Sequence, residues 1–245
     1  MPPALYRELA VYYDRIYAQK EYGPESRELL RLAARHLKRR PASLLDVACG
    51  TGRHLEQFRK QVRDVEGVDL NRPMLREARR RLGAKVPLHR ADMRSFDLHR
   101  QFDVVVCLFS AIGYLLTRSD RDRALSAFYR HTRPGGILLV EGWVRPAAWR
   151  SPSVHLQSYQ GPEATIVRLS STSRTADRSL VRMQYLIGVP GKPIRHVVDD
   201  FRNALIEPSE LLGSFRRAGF AASARFRGRY RDRGLYIGRR PIRST

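Results

Sequence analysis

Between residues 43 and 143 the chain alternates short apolar runs with segments of helical period. That alternation restricts the fold more than any other feature of the sequence. The runs are SLLDVA (43–48), DVEGVDL (64–70), VPLHRAD (86–92), FDVVVCLFS (102–110) and ILLVEGW (137–143). Near-continuous apolar runs of this length suit strands covered on both faces. Between them, GRHLEQFRKQV (52–62), RPMLREARRRLG (72–83) and DRDRALSAFYRHTRPGG (120–136) repeat on the 3.6-residue period. The second has Pro73 in its first turn and Gly83 at its stop, and a Pro-Gly-Gly turn ends the third. Strands alternating with helices predict an α/β fold with a parallel, doubly wound sheet. Upstream, residues 4–38 read as helical, with Ser26 as an N-cap for SRELLRLAARHL.

After Arg145 the rhythm changes to period 2. VHLQSYQ, ATIVRLSSTSR, SLVRMQYLIGV and PIRHVVDDFRNAL are separated by Gly, Pro and Asp turns and predict an inserted antiparallel sheet of four strands. A helix over 208–218 with Gly219 as its C-cap follows, and AASARFR and RGLYIGRR predict a hairpin completing the main sheet. The expected organisation is a core with N-terminal helices over 1–145, a β cap over 146–206, and a closing helix and hairpin over 207–245.

At 245 residues with no apolar run near the length of a membrane helix, and no apolar leader in residues 1–10, a soluble cytoplasmic protein is expected. Cys49 and Cys107 lie inside apolar runs, so they read as small buried residues rather than a disulfide or nucleophiles. The seven histidines have no paired ligand spacing, and no metal is expected. The net charge of +22 comes from 46 Lys and Arg, of which all but five are Arg. Such a balance attracts polyanions, but arginine spread over solvated helices would give the same sum. The densest stretch, 216–243, carries ten arginines with Asp232 as its one acid.

The glycine turn in LLDVACGTGRH follows the first strand and opens a helix, the context in which such a loop serves a ligand. Gly50 and Gly52 allow close backbone approach. Asp69 ends the second strand, where a carboxylate can accept both ribose hydroxyls. To this point NAD fits equally well. Leu55, however, stands where a third glycine would complete the dinucleotide fingerprint, and the loop lacks the Lys-Ser/Thr of a P-loop. Asp46 lies within reach of a cationic group, and Asp92-Met93 can accept from an adenine amine and pack on its ring. Adenine, ribose, an amine and no diphosphate describe S-adenosylmethionine (SAM).

With these motifs in order (LDVACGTGRHL, VEGVDLNRPML, HRADMRSFDL, FDVVVCLFSAIGYL and RPGGILLVEGW), residues 5–143 resemble the class I SAM-dependent methyltransferases. YYDRIYAQKEY, CLFSAIGYL, the four-strand insertion and RGLYIG are further similar to the N-methyltransferases of nucleotide-linked amino sugars. The resemblance implies a seven-stranded Rossmann-like sheet with a β cap after the fifth strand. It also implies that Ala48, Gly50 and Gly52 line the methionine end of SAM. Asp69 would hold the ribose, Leu70 and Met74 would lie near the adenine, Asp92 and Met93 would take the adenine, and Phe109 would sit by the sulfonium. Tyr13, Tyr17 and Tyr22 would close over the cofactor, and Tyr17 matches a substrate-facing tyrosine. Tyr114 stands where the amino-sugar enzymes have His, and VVDDFRN replaces a His- and Glu-rich segment.

Methylation of an amine needs positioning in line with the sulfonium and a partly dry site. A tyrosine with an ordinary pKa near 10 is a poor base at neutral pH. Tyr17 or Tyr114 is therefore expected to orient the amine while water takes its proton. Each has a blander reading as a packing or loop residue. Asp199, Asp200 and Arg202 could equally form an exposed strand, and Trp143 and Trp149 read as packing. The expected function is N-methylation of a small-molecule acceptor, anionic or nucleotide-linked, by an enzyme compatible with a homodimer. Two alternatives stay open, an RNA or tRNA methyltransferase using the arginine-rich surface and a silent SAM-binding partner. Against the RNA reading, the chain has no N-P-P-aromatic motif for base amines.

Overall fold

A computed structural model describes residues 3–150 and 153–242. The main sheet runs β10-β11-β5-β4-β1-β2-β3. Its parallel strands are β1 (Ser43–Val47), β2 (Asp64–Asp69), β3 (Leu88–Arg90), β4 (Phe102–Cys107) and β5 (Thr132–Glu141). Antiparallel β11 (Leu235–Arg239) and β10 (Ala221–Arg225) close one side, as the C-terminal hairpin predicts.

Alternate strand residues divide between two cores. Leu44, Val104, Val106, Ile137 and Leu139 face α2 (Tyr22–Leu37), α3 (Arg53–Phe58) and α4 (Arg72–Leu82). Leu45, Val47, Val105, Leu138 and Val140 face α5 (Arg118–His131) and α6 (Pro208–Arg217). A strand buried on both sides cannot alternate polar with apolar, which is why these runs were continuous in sequence.

The insertion is a separate antiparallel sheet of β6 (Ser153–Gln160), β7 (Thr165–Thr175), β8 (Arg178–Gly188) and β9 (Arg195–Ala204). Its inner face packs on the N-terminal segment: Ile166, Val181, Met183 and Tyr185 form a third core with Leu5, Leu9, Tyr13 and Ile16.

Several boundaries differ from expectation. The region 4–38 is not one helical stretch. It consists of two 3-10 turns (Ala4–Tyr6, Ala10–Tyr12), the short α1 (Tyr13–Ile16) and α2. Helix α2 starts at Tyr22, so Ser26 is a buried interior residue whose hydroxyl has no partner, and it caps nothing. Pro24, lacking an N–H, fits that first turn. Helix α3 stops at Phe58, short of 62. Helix α5 ends at His131, and the Pro-Gly-Gly segment lies inside β5, where the register with β4 shifts and Gly135 takes φ +76°. Helix α6 ends at Arg217 with Ala218 as its cap, and Gly219 follows at φ +103°. Strand β4 stops at Cys107, and Phe109 and Ser110 then take positive φ of 52° and 63°.

Candidate active site

The carboxyl ends of β1, β2 and β4 open onto a cavity of about 550 Å³. Ten of the residues expected at the site line it: Tyr13, Ala48, Gly50, Asp69, Leu70 and Met74, together with Asp92, Met93, Phe109 and Tyr114. Asp69 is buried. Its Oδ2 accepts from the Gly50 N–H (2.9 Å) and its Oδ1 from the Asn71 N–H (2.7 Å). Burial raises its carboxyl above the ordinary range, opposed by the hydrogen bonds from Asn71 and Gly50. Asp92 is gripped by Arg94, whose Nη2 donates to Oδ2 at 2.6 Å and whose Nε donates to Oδ1 at 3.0 Å. Those bonds hold the Asp92 carboxyl below its usual range.

Four expected residues lie elsewhere. Gly52 turns toward α4, where a Cβ would meet Leu82 Cδ1 at 2.8 Å, so its glycine serves helix packing. Gly50 has the lining role, with space for a Cβ only against Met74 Cε at 3.4 Å. Tyr22 lies edge-on to His54 (4.8 Å between centroids), away from the cavity. Asp46 is 2% exposed and is not among the lining residues, and its Oδ2 has no hydrogen-bond partner among the described residues. Burial, then repulsion from Asp69, pushes its carboxyl well above the ordinary range. Tyr17 belongs to a second cavity.

That second cavity, about 700 Å³, lies beneath the cap and includes Tyr17, Trp143, Trp149, Arg168, Met183 and Phe201. Both tryptophans line it, and Trp143 packs against the third core as expected, its Nε1 donating to Ser179 Oγ at 2.9 Å. Tyr6, Phe109 and Tyr114 line both cavities and form the junction between them. The Tyr6 and Tyr114 hydroxyls are hydrogen-bonded at 2.6 Å, and Tyr17 stands edge-on to Phe109 with centroids 5.0 Å apart. Burial pushes both the Tyr6 and Tyr114 phenols well up. The Phe109 N–H donates to Glu141 Oε2 at 2.7 Å, and this bond supports the strained turn that aims the ring at the junction.

The N-terminal segment is strapped over the first cavity. Asp14 accepts from Thr51 Oγ1 at 2.7 Å and pairs with Arg81, and the Leu5 N–H donates to Asp199 Oδ2 at 2.9 Å. Behind it the buried Glu25 accepts from Lys20 Nζ (2.5 Å) and pairs with His54 Nε2 (2.9 Å).

The residues present fit SAM. Asp46, two residues before the lining Ala48, keeps an unpartnered buried oxygen, Gly50 clears the backbone, Asp69 ends β2 and Asp92 lies two residues past β3, and Leu70, Met74 and Met93 supply apolar surface.

Comparison with known proteins agrees. A methyltransferase-domain family matches residues 44–136. Over 228 residues the chain is 35% identical to a dTDP-3-amino-3,4,6-trideoxy-alpha-D-glucopyranose N,N-dimethyltransferase of Streptomyces venezuelae, covering 92% of this chain and 95% of that one. It is 36% identical over 233 residues to a dTDP-3-amino-3,6-dideoxy-alpha-D-glucopyranose N,N-dimethyltransferase of Streptomyces fradiae, covering 94% and 90%. Among solved structures, Streptomyces venezuelae DesVI superposes with a TM-score of 0.88 at 35% identity, covering 95% of this chain and 98% of that one. SAM-bound CalS10, an amino pentose methyltransferase from Micromonospora echinaspora, superposes with 0.82 at 32% identity, covering 95% and 96%. The chain belongs to the amino-sugar N-methyltransferases.

It is therefore a SAM-dependent methyltransferase of a small-molecule amine, and SAM, when bound, supplies a methyl group activated on sulfonium. Within the family fold, the two departures meet in space. Phe201 of the VVDDFRN segment lies 5.9 Å, centroid to centroid, from Tyr114. Asp199 of that segment is buried under the N-terminal strap, whereas Asp200 is exposed and paired with Arg182. Four arginines of the arginine-rich stretch are tied to the fold. Arg217 pairs with Asp122, Arg229 with Glu28 and Arg233 with Glu141, and Arg240 donates to the Tyr129 and Thr132 carbonyls. Arg243 lies outside the described residues. It is the similarity to amino-sugar N-methyltransferases over nearly the whole chain that favours the small-molecule reading over RNA.

Sequence reasoning missed Tyr6, Asn71, Arg94 and Arg168. Tyr6 and Arg168 carry no signal, because each sits in a pattern that reads as an ordinary amphipathic element. Asn71 and Arg94 could have been found, since each lies two residues past a singled-out aspartate and hydrogen-bonds it.

Proposed function

We propose that the enzyme N-methylates the amino group of a deoxysugar carried on a nucleoside diphosphate. The observation that carries the reading is the junction: the cofactor cavity and the cap cavity share only Tyr6, Phe109 and Tyr114 among the described residues. A donor on one side and an acceptor on the other would meet there. The cap cavity's volume of about 700 Å³ lies within the range of small-ligand sites. Both full-length relatives named above act on dTDP-linked amino sugars.

In this reading Asp46 faces the cofactor's amine, Asp69 its ribose, and Asp92 with Met93 its adenine. Tyr114 and Tyr6 orient the acceptor amine through their shared hydroxyl pair, and Tyr17 forms the wall behind it. With phenols that burial keeps protonated, these tyrosines hold and aim, while the amine sheds its proton to water. The apolar walls from Phe109, Met183 and Phe201 exclude bulk water, which favours the dispersal of charge in the transition state. We place the reaction in the cytoplasm, where the buried thiols of Cys49 and Cys107 stay reduced.

The test is to incubate the purified enzyme with SAM and a set of dTDP-linked amino deoxysugars and follow products by mass spectrometry. One or two added methyl masses on the sugar are expected. Methyl transfer to tRNA, with none to any amino sugar, would overturn the reading.

A further inference from the structure

Of the three side chains shared by the two cavities, Tyr6 and Tyr114 hold each other by a hydrogen bond. The Phe109 side chain has no polar atom with which to do so, and its backbone carries a strained φ of +52°. Its ring is fixed from outside, by the turn between α1 and α2. The Lys20 N–H donates to the Tyr17 carbonyl at 3.0 Å and closes that turn. The closure brings the first and last side chains of the turn to the same ring. Tyr17 meets Phe109 at 5.0 Å between centroids and 87° between planes, and Lys20 Nζ lies over the ring, 4.7 Å from its centroid.

Lys20 is itself anchored. Its side chain is 16% exposed, donates to Glu25 Oε2 at 2.5 Å, and also lies 5.2 Å from the Tyr22 centroid. Glu25 is buried and is paired a second time, with His54 Nε2 at 2.9 Å. One ammonium thus sits between an anchored carboxylate and the ring at the junction. The chain uses five lysines among 46 basic residues, and one of them stands here. A compact ammonium fits between a carboxylate and a ring face without the planar fork that a guanidinium brings. Lys20 lines neither cavity, so any effect it has on bound molecules passes through the ring.

A cation over an aromatic face is attracted by the ring's quadrupole, most strongly where water is excluded. From this we infer that Lys20 is a positioning residue for methyl transfer and acts through Phe109. With the N-terminal segment strapped down, the ammonium and Tyr17 fix the ring that borders donor and acceptor alike, and so keep sulfur, methyl carbon and amine in line. The inference rests on the junction being the place of methyl transfer, as proposed above.

The test compares Lys20→Met, Phe109→Leu and the double variant in the full-length enzyme. Calorimetry gives SAM affinity, and steady-state kinetics with a dTDP-linked amino deoxysugar give kcat and KM. Lys20→Met keeps the apolar stem and removes the charge. It should lower kcat about tenfold, the scale of a small displacement from the in-line geometry, with SAM affinity and acceptor KM unchanged. In the Phe109→Leu background the same substitution should cost nothing further, because the two residues act as one unit. A loss confined to SAM affinity would make Lys20 a fastener of the N-terminal segment and overturn the inference. So would an undiminished loss of kcat in the Phe109→Leu background. A second measurement needs neither SAM nor acceptor. With five lysines in the chain, the Lys20 Hε signal can be followed by NMR of 13C-lysine-labelled enzyme. Protons over a ring face resonate upfield, so this signal should move downfield in Phe109→Leu. A signal that stays in place overturns the inference, even if Lys20→Met fails to fold. Loss of kcat in Phe109→Leu with none in Lys20→Met refutes the role of Lys20 alone. A wild type that methylates no amino sugar refutes the functional reading, and the NMR signal then decides whether Lys20 holds the ring.

Discussion

Asp46 buries a carboxylate with one oxygen unpartnered, a cost the fold bears without ligand. Burial raises its folded pKa above the unfolded value. For an acid, that sign means its contribution to stability is complete below the unfolded pKa and is lost as pH rises through the folded one. At neutral pH, Asp46→Asn should leave the ligand-free melting temperature unchanged or higher while weakening SAM binding about tenfold or more. Wild-type SAM affinity should rise with pH as Asp46 ionises, and the variant's should not. Calorimetry and thermal denaturation read both. A lower melting temperature with unchanged SAM affinity would reduce Asp46 to a structural acid. At Tyr114, replacement by Phe removes the 2.6 Å bond to Tyr6. Because burial holds the Tyr114 phenol protonated, the expected result is a fall in kcat of about tenfold with the pH profile keeping its shape. A profile that loses its basic limb would make Tyr114 a base.

The element strapped over the cofactor cavity is the N-terminal segment, stitched down through Asp14, Leu5 and Glu25. Burial alone would raise the Glu25 carboxyl, but the hydrogen bonds and charges of His54 and Lys20 outweigh it and bring it to about 2. Its stabilising contribution is therefore complete above the unfolded value and fades as pH falls toward about 2. Glu25→Gln should destabilise the protein by about 3–5 kcal/mol at neutral pH, measured by urea denaturation, and the deficit should shrink in acid. Gly52→Ala meets both a φ of +76° and Leu82 at 2.8 Å. It should cost about 1–3 kcal/mol through the α3–α4 packing rather than through direct contact with ligand. The existence of these elements was legible in the sequence, because a strand covered on both faces is mostly apolar, with an occasional buried acid such as Asp46. Their ends were less so. Ser26 looked like a cap because N-caps favour serine, yet a first turn containing Pro24 starts the helix at Tyr22, and tertiary burial absorbs the serine.

For the molecule as a whole, the cofactor side of the site could be read in advance and the acceptor side could not. Asp46, Gly50, Asp69 and Asp92 follow one another at strand ends, where sheet topology itself converges them. Tyr6, Tyr114, Phe201 and Arg168 come from four distant segments, brought together only when the cap folds over the N-terminal segment. No local pattern encodes that meeting. Net charge was ambiguous for a related reason, since composition does not distinguish an arginine paired with Glu141 from one such as Arg168, whose Nε and Nη1 are buried without a partner among the described residues. The most direct measurement of the central claim is NMR of the product formed from 13C-methyl SAM and a dTDP-linked amino deoxysugar. The account predicts labelled methyl carbon bonded to the sugar nitrogen. Label on a sugar oxygen, or left entirely on SAM across the acceptor set, would contradict it.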